Sequence, residues 1–569
     1  MDIRDYIIKE ANLNKISGFS AELLTVPPTS DMGDFCLPCF PFAKELKKAP
    51  FMIAEELKNK INTNGIIDRA EVVGGYLNFF VKREEVTKII LAEILKQDKN
   101  FGRNNIGEGK TVFLDFSSPN LAKYMHIGHL ANTVIGESIK RILKFCGYKV
   151  VAINYLGDFG TPFGKMVAAY KLWGNKDDVD KRGVDAIQDL YIKISAEIEK
   201  DPSLADLSRN WFRRIEEGDP EALEIYNWFI TLAKQEVNKI YDMLGVTFDD
   251  WSGEAKYSKL MEPVLKELEK NKLVTASEGA KIVDLQNYGL GVCMVQKSDG
   301  TSLYATRDLA AVEDRYKTYK FDKGIYITDV SQKLHFAQWF KVCELLKKTY
   351  AKGLVHISYG RFSLPEGKIA SRKGKQAVVK DILDASIKRA KKIVQERGAE
   401  GIDIETVARQ IGIGAVVFFP LKHEKNRDVV FDLESALSFD GETAPYMQYT
   451  YARCCSILKK AEEVLNKPIE QIMSGKIETK DINNTEAFEL IKLINQFPAA
   501  VESALQSYEP SIISKLIISL SHAYNVYYNT NRIIEDGKVS IGRLMLTYAT
   551  KKVLNTGLEL LNIASIPKM

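Results

Sequence analysis

Hydrophobic and polar positions change their spacing several times along this chain, and each change marks a different kind of structure. Residues 1–105 alternate helical patterns with short apolar segments, among them Ile53 to Ile61 and the run Gly75-Tyr76-Leu77-Asn78-Phe79-Phe80-Val81, and the polar stretch from Gln97 to Gly109 closes this part. From Thr111 the pattern reads strand (Thr111 to Phe116), loop (Ser117 to Met125), helix (His126 to Phe145) and strand (Val150 to Tyr155). Such a unit builds a parallel sheet whose ligands sit beyond the carboxyl ends of the strands, so chemistry is expected in the loop running into His126. Residues 175–248 are charged and helical in pattern, with Trp211, Phe212, Ile215, Tyr226, Phe229 and Ile230 at helix-face spacings, and are read as an insertion between the two halves of the sheet. Strand patterns return at Gly324 to Thr328 and Leu354 to Ser363, and from Gly441 to Met569 the pattern is almost wholly helical. The predicted fold class is therefore α/β: a small N-terminal α/β domain (1–105), a Rossmann-like domain (106–375), a connecting segment (376–440) and a C-terminal all-helical bundle (441–569).

A chain of 569 residues exceeds what one hydrophobic core usually organises, in keeping with several domains. Its 45% hydrophobic and 27% charged residues are those of an ordinary globular protein, which excludes a disordered or low-complexity chain. The opening MDIRDYIIKE lacks a basic segment followed by an apolar one, and no run of about 18 apolar residues occurs, so a cytoplasmic protein without membrane attachment is expected. Seven cysteines, an odd number without a paired framework, predict reduced thiols. Cys36 and Cys39 form a C-x-x-C with no second pair at zinc-ribbon spacing, so no structural metal is expected. A net charge of +4 neither demonstrates nor opposes nucleic-acid binding.

Two of the six histidines fall within four residues, His126-Ile127-Gly128-His129, at the predicted opening of a helix. A helix N-terminus offers free N–H groups and partial positive charge to a triphosphate, two imidazoles one turn apart can donate to its oxygens, and Gly128 leaves room for a flat base. A bare H-x-G-H reads equally as two polar residues capping a surface helix. The second element, Gly367-Lys368-Ile369-Ala370-Ser371-Arg372-Lys373-Gly374-Lys375, is a basic loop after a predicted strand. Alone it is a solvated turn; together with the histidines it supplies cations for a departing pyrophosphate. Gly109-Lys110-Thr111 is not a Walker A loop, because Asn104 stands where the first glycine belongs and a strand follows.

With these two elements in this order the sequence resembles the class I aminoacyl-tRNA synthetases, whose nucleotide fold carries H-I-G-H and K-M-S-K-S sequences. Longer stretches narrow the resemblance to the arginyl type: Phe116-Ser117-Ser118-Pro119-Asn120-Leu121-Ala122-Lys123, Asn154-Tyr155-Leu156-Gly157-Asp158-Phe159-Gly160, Thr301-Ser302-Leu303-Tyr304-Ala305-Thr306-Arg307-Asp308, Ser331-Gln332-Lys333-Leu334-His335-Phe336 and Gly441-Glu442-Thr443-Ala444-Pro445-Tyr446-Met447-Gln448-Tyr449. The resemblance spans most of the chain. It implies an arginine-tRNA ligase of protein synthesis, which joins L-arginine to tRNA(Arg) through arginyl-adenylate and releases AMP and pyrophosphate, with ATP and its Mg²⁺ as cofactors.

By motif, the resemblance puts ATP binding and catalysis on His126, Gly128, His129 and Lys368, with Lys123 as a further catalytic cation. Lys368-Ile369-Ala370-Ser371-Arg372 departs from the family pattern, with Ser371 in place of the second lysine; Lys123 and Lys373 are the candidates to supply the missing charge. The arginine pocket falls on Asn120, Glu254, Tyr304, Asp308 and Gln332. A guanidinium is planar, permanently charged and offers five donors, which suits carboxylate acceptors backed by amides and a phenol. By pattern alone Glu254 and Asp308 read as surface carboxylates, and Asp308 as the cap of a helix beginning near Leu309. The N-terminal domain resembles the family's extra domain, which contacts the tRNA elbow. In the bundle Tyr446, Tyr449 and Arg453 match the anticodon side, and Tyr524, Tyr527, Tyr528 and Asn529 add aromatic and polar groups; tyrosines at such spacing also read as core. A monomer is expected. Other readings are a class I synthetase for another amino acid, a silent tRNA-binding paralogue and a cytidylyltransferase-like enzyme. The acid pair disfavours the first, the intact His126, Gly128, His129 and Lys368 the second, and the two flanking domains the third.

Overall fold

Four short strands rich in Val, Ile and Phe form the central sheet: β1 (Thr111–Asp115), β2 (Lys149–Ile153), β3 (Lys323–Asp329) and β4 (Leu354–Tyr359). They run parallel in the order β4-β3-β1-β2. Val112, Phe113 and Leu114 of β1 are fully buried, as expected of a central strand covered on both faces. Strand order reverses between β1 and β3, and a doubly wound sheet takes its ligand in the crevice outside the carboxyl ends at such a point. Helix α1 (Ile127–Phe145) opens into that crevice, and Asn132 on it donates to the Ile327 carbonyl of β3 at 2.8 Å. The structure, a computed structural model, describes residues 3–63, 65–298, 304–365, 378–398 and 401–569.

Strand and helix ends differ from the sequence expectation by a residue or two, and a few elements differ more. Ile53 to Ile61 is not an isolated apolar segment but lies mostly in the helix Pro50–Lys58, which starts on a proline. Helix α2 (Tyr304–Tyr319) begins five residues before Leu309, so Asp308 sits in its second turn and caps nothing. Residues Val274–Ser277, Ala280–Asp284 and Val292–Gln296 form a three-stranded antiparallel sheet. The hydrophobic pattern does not signal its last strand, since exposed Val292 and Met294 alternate with buried Cys293 and Val295 and all four are apolar. Between β2 and this sheet lie the helices Lys176–Arg182, Val184–Lys200, Ser203–Glu217 and Pro220–Leu244.

The two ends of the chain flank the sheet and touch each other. An antiparallel sheet of Phe35–Pro38, Tyr76–Val81 and Ile67–Val73 forms the first unit, held by buried Asp34, whose carboxylate accepts the Val81 N–H at 3.0 Å. Phe101 stacks on Phe497, and Asp98 pairs with Lys552. The helices Val379–Arg397 and Ile404–Leu421 pack so closely that a Cβ on Gly412 would lie 2.8 Å from the backbone of Ile387. Ile404–Leu421 is long and apolar enough to cross a membrane, yet 67% of it is buried inside the protein. The C-terminal part consists of α3 (Ala444–Leu465), Thr485–Ser507, Ser511–Thr530 and Ile541–Leu560 with short connecting elements. The last of these docks on α1, where Ser138 donates to the Leu560 carbonyl at 2.9 Å.

Candidate active site

The loop that leaves β1 carries two consecutive non-glycine residues in the left-handed region, Ser117 (φ 73°) and Ser118 (φ 48°). Each such residue costs on the order of 1–3 kcal/mol unless its surroundings hold it, and such residues cluster at functional sites. Here Asn132 accepts the Ser117 N–H at 2.7 Å, the Ser117 hydroxyl meets Thr133 and Tyr241 at 2.7 and 2.6 Å, and the Ser118 hydroxyl donates to Asp115 at 3.0 Å. Asp115 is itself paired with Arg315 at 2.8 Å, both side chains buried, with Phe113, Tyr155 and Tyr326 around the guanidinium. The strained loop thus rests on a buried ion pair and on α1.

At the opening of α1 the two histidines cap the helix. His126 is the N-cap: its Nδ1 accepts the Gly128 N–H at 3.1 Å, while Nδ1 of His129 accepts the His126 N–H at 3.1 Å. With both Nδ1 atoms acting as acceptors, the ring proton sits on each Nε2, which remains a donor for a ligand. Burial, then the Lys123 ammonium, pulls the His126 pKa below the usual histidine value; burial and His126 pull that of His129 down to about 3. Both rings are therefore neutral donors near pH 7. Gly128 has a local reason to be glycine, since a Cβ there would stand 3.0 Å from Cε1 of His126 and push the ring off its cap. Lys123 is exposed in the turn just before, its N–H donating to the Asn120 carbonyl at 3.1 Å. Lys368, together with Ser371 and Lys373, lies outside the described residues. The described chain resumes at Val378, which bridges His126, and the Val379 N–H donates to the Met125 carbonyl at 2.9 Å.

Beside this helix a second group of predicted residues comes together. Asn120 pairs through its backbone with Gly157, Leu156 with Gly253, and the Asp158 carboxylate caps the helix that Glu254 opens by accepting the Ala255 N–H at 2.9 Å. Gly253 permits this, because a Cβ there would fall 2.3 Å from that carboxylate. Glu254 is paired with Arg307 at 2.9 Å, and Asp308 with Nε2 of His335 at 2.6 Å. Burial raises the Glu254 carboxyl to about 7; Arg307 opposes this, and the neighbouring Asp308 and Asp158 add to it. Tyr304, at the start of α2, is 66% exposed, and Gln332 is exposed in the turn after β3. The Asn120 amide oxygen is occupied by the Ala122 N–H at 2.9 Å. Arg307 and His335 had no assigned role from sequence, although each stands inside a quoted motif, Arg307 directly before Asp308. Among the described residues no three His, Cys, Asp or Glu side chains form a metal-binding group.

Tyr446, Tyr449 and Arg453 lie on α3 at helical spacing and are half-buried. The Arg453 guanidinium sits 5.0 Å from the Tyr449 ring and 4.8 Å from that of Tyr528, and donates to Asn525. Arg397 lies 3.7 Å from the Phe439 ring and 5.9 Å from Tyr449, beside a cavity of about 400 Å³ that is also lined by Met569. Tyr524 and Tyr527 are fully buried, so of the tyrosines considered in the bundle these two are core and unavailable for stacking.

A parallel sheet with its switch point, a histidine-capped helix there and an appended helical bundle are the parts of a class I tRNA synthetase. Residues 90–433 match the family described as tRNA synthetases class I (R), catalytic domain; residues 447–569 match the DALR anticodon binding domain, and residues 3–81 the arginyl tRNA synthetase N terminal domain. An arginine–tRNA ligase of Alkaliphilus metalliredigens is 43% identical over 549 residues, covering 96% of this chain and 96% of the relative. One of Halothermothrix orenii is 42% identical over 570 residues, covering 100% and 99%. The solved arginyl-tRNA synthetase of Thermus thermophilus shares the fold, with a TM-score of 0.80 over 100% of this chain and 99% of its own at 24% identity. The chain belongs to the arginyl-tRNA synthetase family.

Proposed function

We propose that the protein charges tRNA(Arg) with L-arginine in protein synthesis, as a cytoplasmic monomer free of membranes. The observation that supports this most is the histidine-capped helix at the switch point of the parallel sheet together with two half-buried, neighbouring carboxylates, Glu254 and Asp308. ATP binds as its Mg²⁺ complex over Gly128, the ion travelling with the phosphates as part of the substrate. The substrate guanidinium is read by Asp308 and Glu254, with Tyr304, Asn120 and Gln332 around the rest of the amino acid. A carboxylate oxygen of arginine attacks the α-phosphorus, the bond to the β-phosphate oxygen breaks, and pyrophosphate leaves. The Nε2 donors of His126 and His129 meet the charge that builds on the phosphate oxygens, which requires no covalent protein nucleophile. Lys123 and Lys368 are the cations assigned to the departing pyrophosphate. A ribose hydroxyl of the tRNA end then attacks the arginyl carbonyl and AMP leaves.

The bundle residues Tyr446, Tyr449 and Arg453 hold splayed anticodon bases by stacking and charge, and the N-terminal domain contacts the tRNA elbow. The domain limits that go with these roles are 1–105, 106–375, 376–440 and 441–569. Aminoacylation of tRNA(Arg) with labelled arginine, set against lysine and citrulline, tests the reading. Charging with arginine alone supports it, and charging with either competitor at a similar rate overturns it.

A further inference from the structure

Glu254 does not stand alone in the pocket. Its Oε2 receives Nη1 of Arg307 at 2.9 Å, and the Arg307 side chain, only 10% exposed, comes from the first turns of the rigid helix α2. The guanidinium carbon lies 5.5 Å from the Phe159 ring and 5.6 Å from the Tyr304 ring, so leaving this position means giving up two ring contacts and an ion pair. The groups that act electrostatically on Glu254 are Arg307 and Asp308 from α2 and Asp158 from the loop after β2, and the phenols of Tyr155 and Tyr226 sense its charge. Among these Arg307 is the single cation. Asp308 is paired in turn with His335.

We propose that Arg307 is a positioning and specificity-determining residue of the arginine pocket: it takes up Oε2 of Glu254, leaves Oε1 to the substrate, and offsets one of the two carboxylates so that the pocket accepts one added guanidinium. The proposal rests on the assignment of Glu254 and Asp308 to that pocket. Without Arg307, a half-buried Glu254 near Asp308 and Asp158 takes up a proton more readily. A protonated carboxyl then presents an O–H donor to a ligand whose guanidinium has donors only, and the contact changes from attraction to conflict. A partner fixed by packing, and not a mobile stand-in displaced by substrate, fits its burial between two rings.

The test is steady-state arginine charging by the full chain from pH 6 to 9, comparing the parental protein with Arg307→Met, Arg307→Lys, Glu254→Gln and the double variant Arg307→Met/Glu254→Gln, with thermal melts to check folding. Arg307→Met should raise the KM for arginine about tenfold or more at pH 7 while kcat at saturating arginine changes far less. The pH range over which KM falls with rising pH should move upward in that variant, and Arg307→Lys should recover most of the loss. Added to Glu254→Gln, the Met substitution should cost less than about twofold, because its effect runs through the missing carboxylate. An unchanged KM, or a rise that is equal at every pH and multiplies fully with Glu254→Gln, overturns the proposal. If Arg307→Met does not fold, the pH profile of Arg307→Lys decides in the same way, since a weaker ion pair should still move the KM transition upward. Asp308→Asn, which leaves the Arg307–Glu254 pair in place, separates the two levels: an unchanged arginine KM there removes the pocket assignment itself.

Discussion

Replacing His129 with Ala takes away two things that the structure separates. Nδ1 accepts the His126 N–H and completes the cap of α1, while Nε2 is left as a donor for a ligand. Loss of a helix cap costs about 0.5–2 kcal/mol, which in a large protein lowers Tm by roughly a few degrees. Loss of a preorganised donor to transition-state charge costs about 3–4 kcal/mol, or roughly 10²- to 10³-fold in adenylate formation, with little change in arginine binding. Because the His129 pKa is pulled down to about 3, the ring is neutral from pH 5 upward and the loss should be the same across that range. His129→Gln distinguishes the two contributions, since glutamine at the third helical position is a capping-box residue that can take the backbone N–H without restoring the imidazole donor. Thermal melts should show Tm recovered in the Gln variant, and single-turnover adenylate formation with tRNA present should show the rate still lost. Adenylate formed at the parental rate by the Ala variant, or a rate that returns together with Tm in the Gln variant, refutes the donor role and leaves only the cap.

Asp308→Asn should weaken arginine use by about 2 to 5 kcal/mol and narrow the discrimination against neutral citrulline, measured as the ratio of kcat/KM for the two. Glu254, raised to about 7 by burial, must be ionised to accept the substrate guanidinium. Arginine binding should therefore release a proton near and below pH 7 and tighten as pH rises through that value, then level off, as checked by calorimetry in two buffers of different ionisation enthalpy. A binding heat independent of buffer at pH 6.5 contradicts that assignment. Tyr449→Ala should weaken tRNA binding by about 1 to 3 kcal/mol if its ring stacks an anticodon base, whereas normal tRNA affinity with a lowered Tm shows that it serves only to hold Arg453.

Much of the layout was legible because periodicity reports burial directly. The β1–α1–β2 unit, the helical insertion and the C-terminal helices all follow from where apolar residues recur. The sheet formed by Val274–Ser277, Ala280–Asp284 and Val292–Gln296 was hidden because its last strand exposes Val292 and Met294, so no polar face alternates with the buried one. At the site, His126 and His129 were visible through rarity and spacing, but the tautomers that make them donors depend on two backbone N–H groups no sequence pattern displays. Ser117 and Ser118 carry no glycine signature for their left-handed backbone; contacts with Asn132, Thr133, Tyr241 and Asp115 hold them there. Arg307 and His335 carry no sequence signal for a related reason. A charged residue beside a predicted carboxylate looks like surface, and only the fold turns Arg307 toward Glu254 and His335 toward Asp308. Spacing could not tell core tyrosines from stacking ones, and burial assigns Tyr524 and Tyr527 to the core.

The family resemblance carries one behaviour that bears on every role assigned above: arginine activation is expected to need tRNA. The last helix of the bundle hydrogen-bonds to the helix that carries His126 and His129, through Ser138 and the Leu560 carbonyl, so tRNA held by the terminal domains has a rigid element through which to favour the closed site. ATP–pyrophosphate exchange with each amino acid in turn, with and without cognate tRNA, tests the central claim most directly. Exchange that appears only with arginine, and only when tRNA is added, is the predicted result; exchange with a different amino acid, or none with arginine even in the presence of tRNA, contradicts the account.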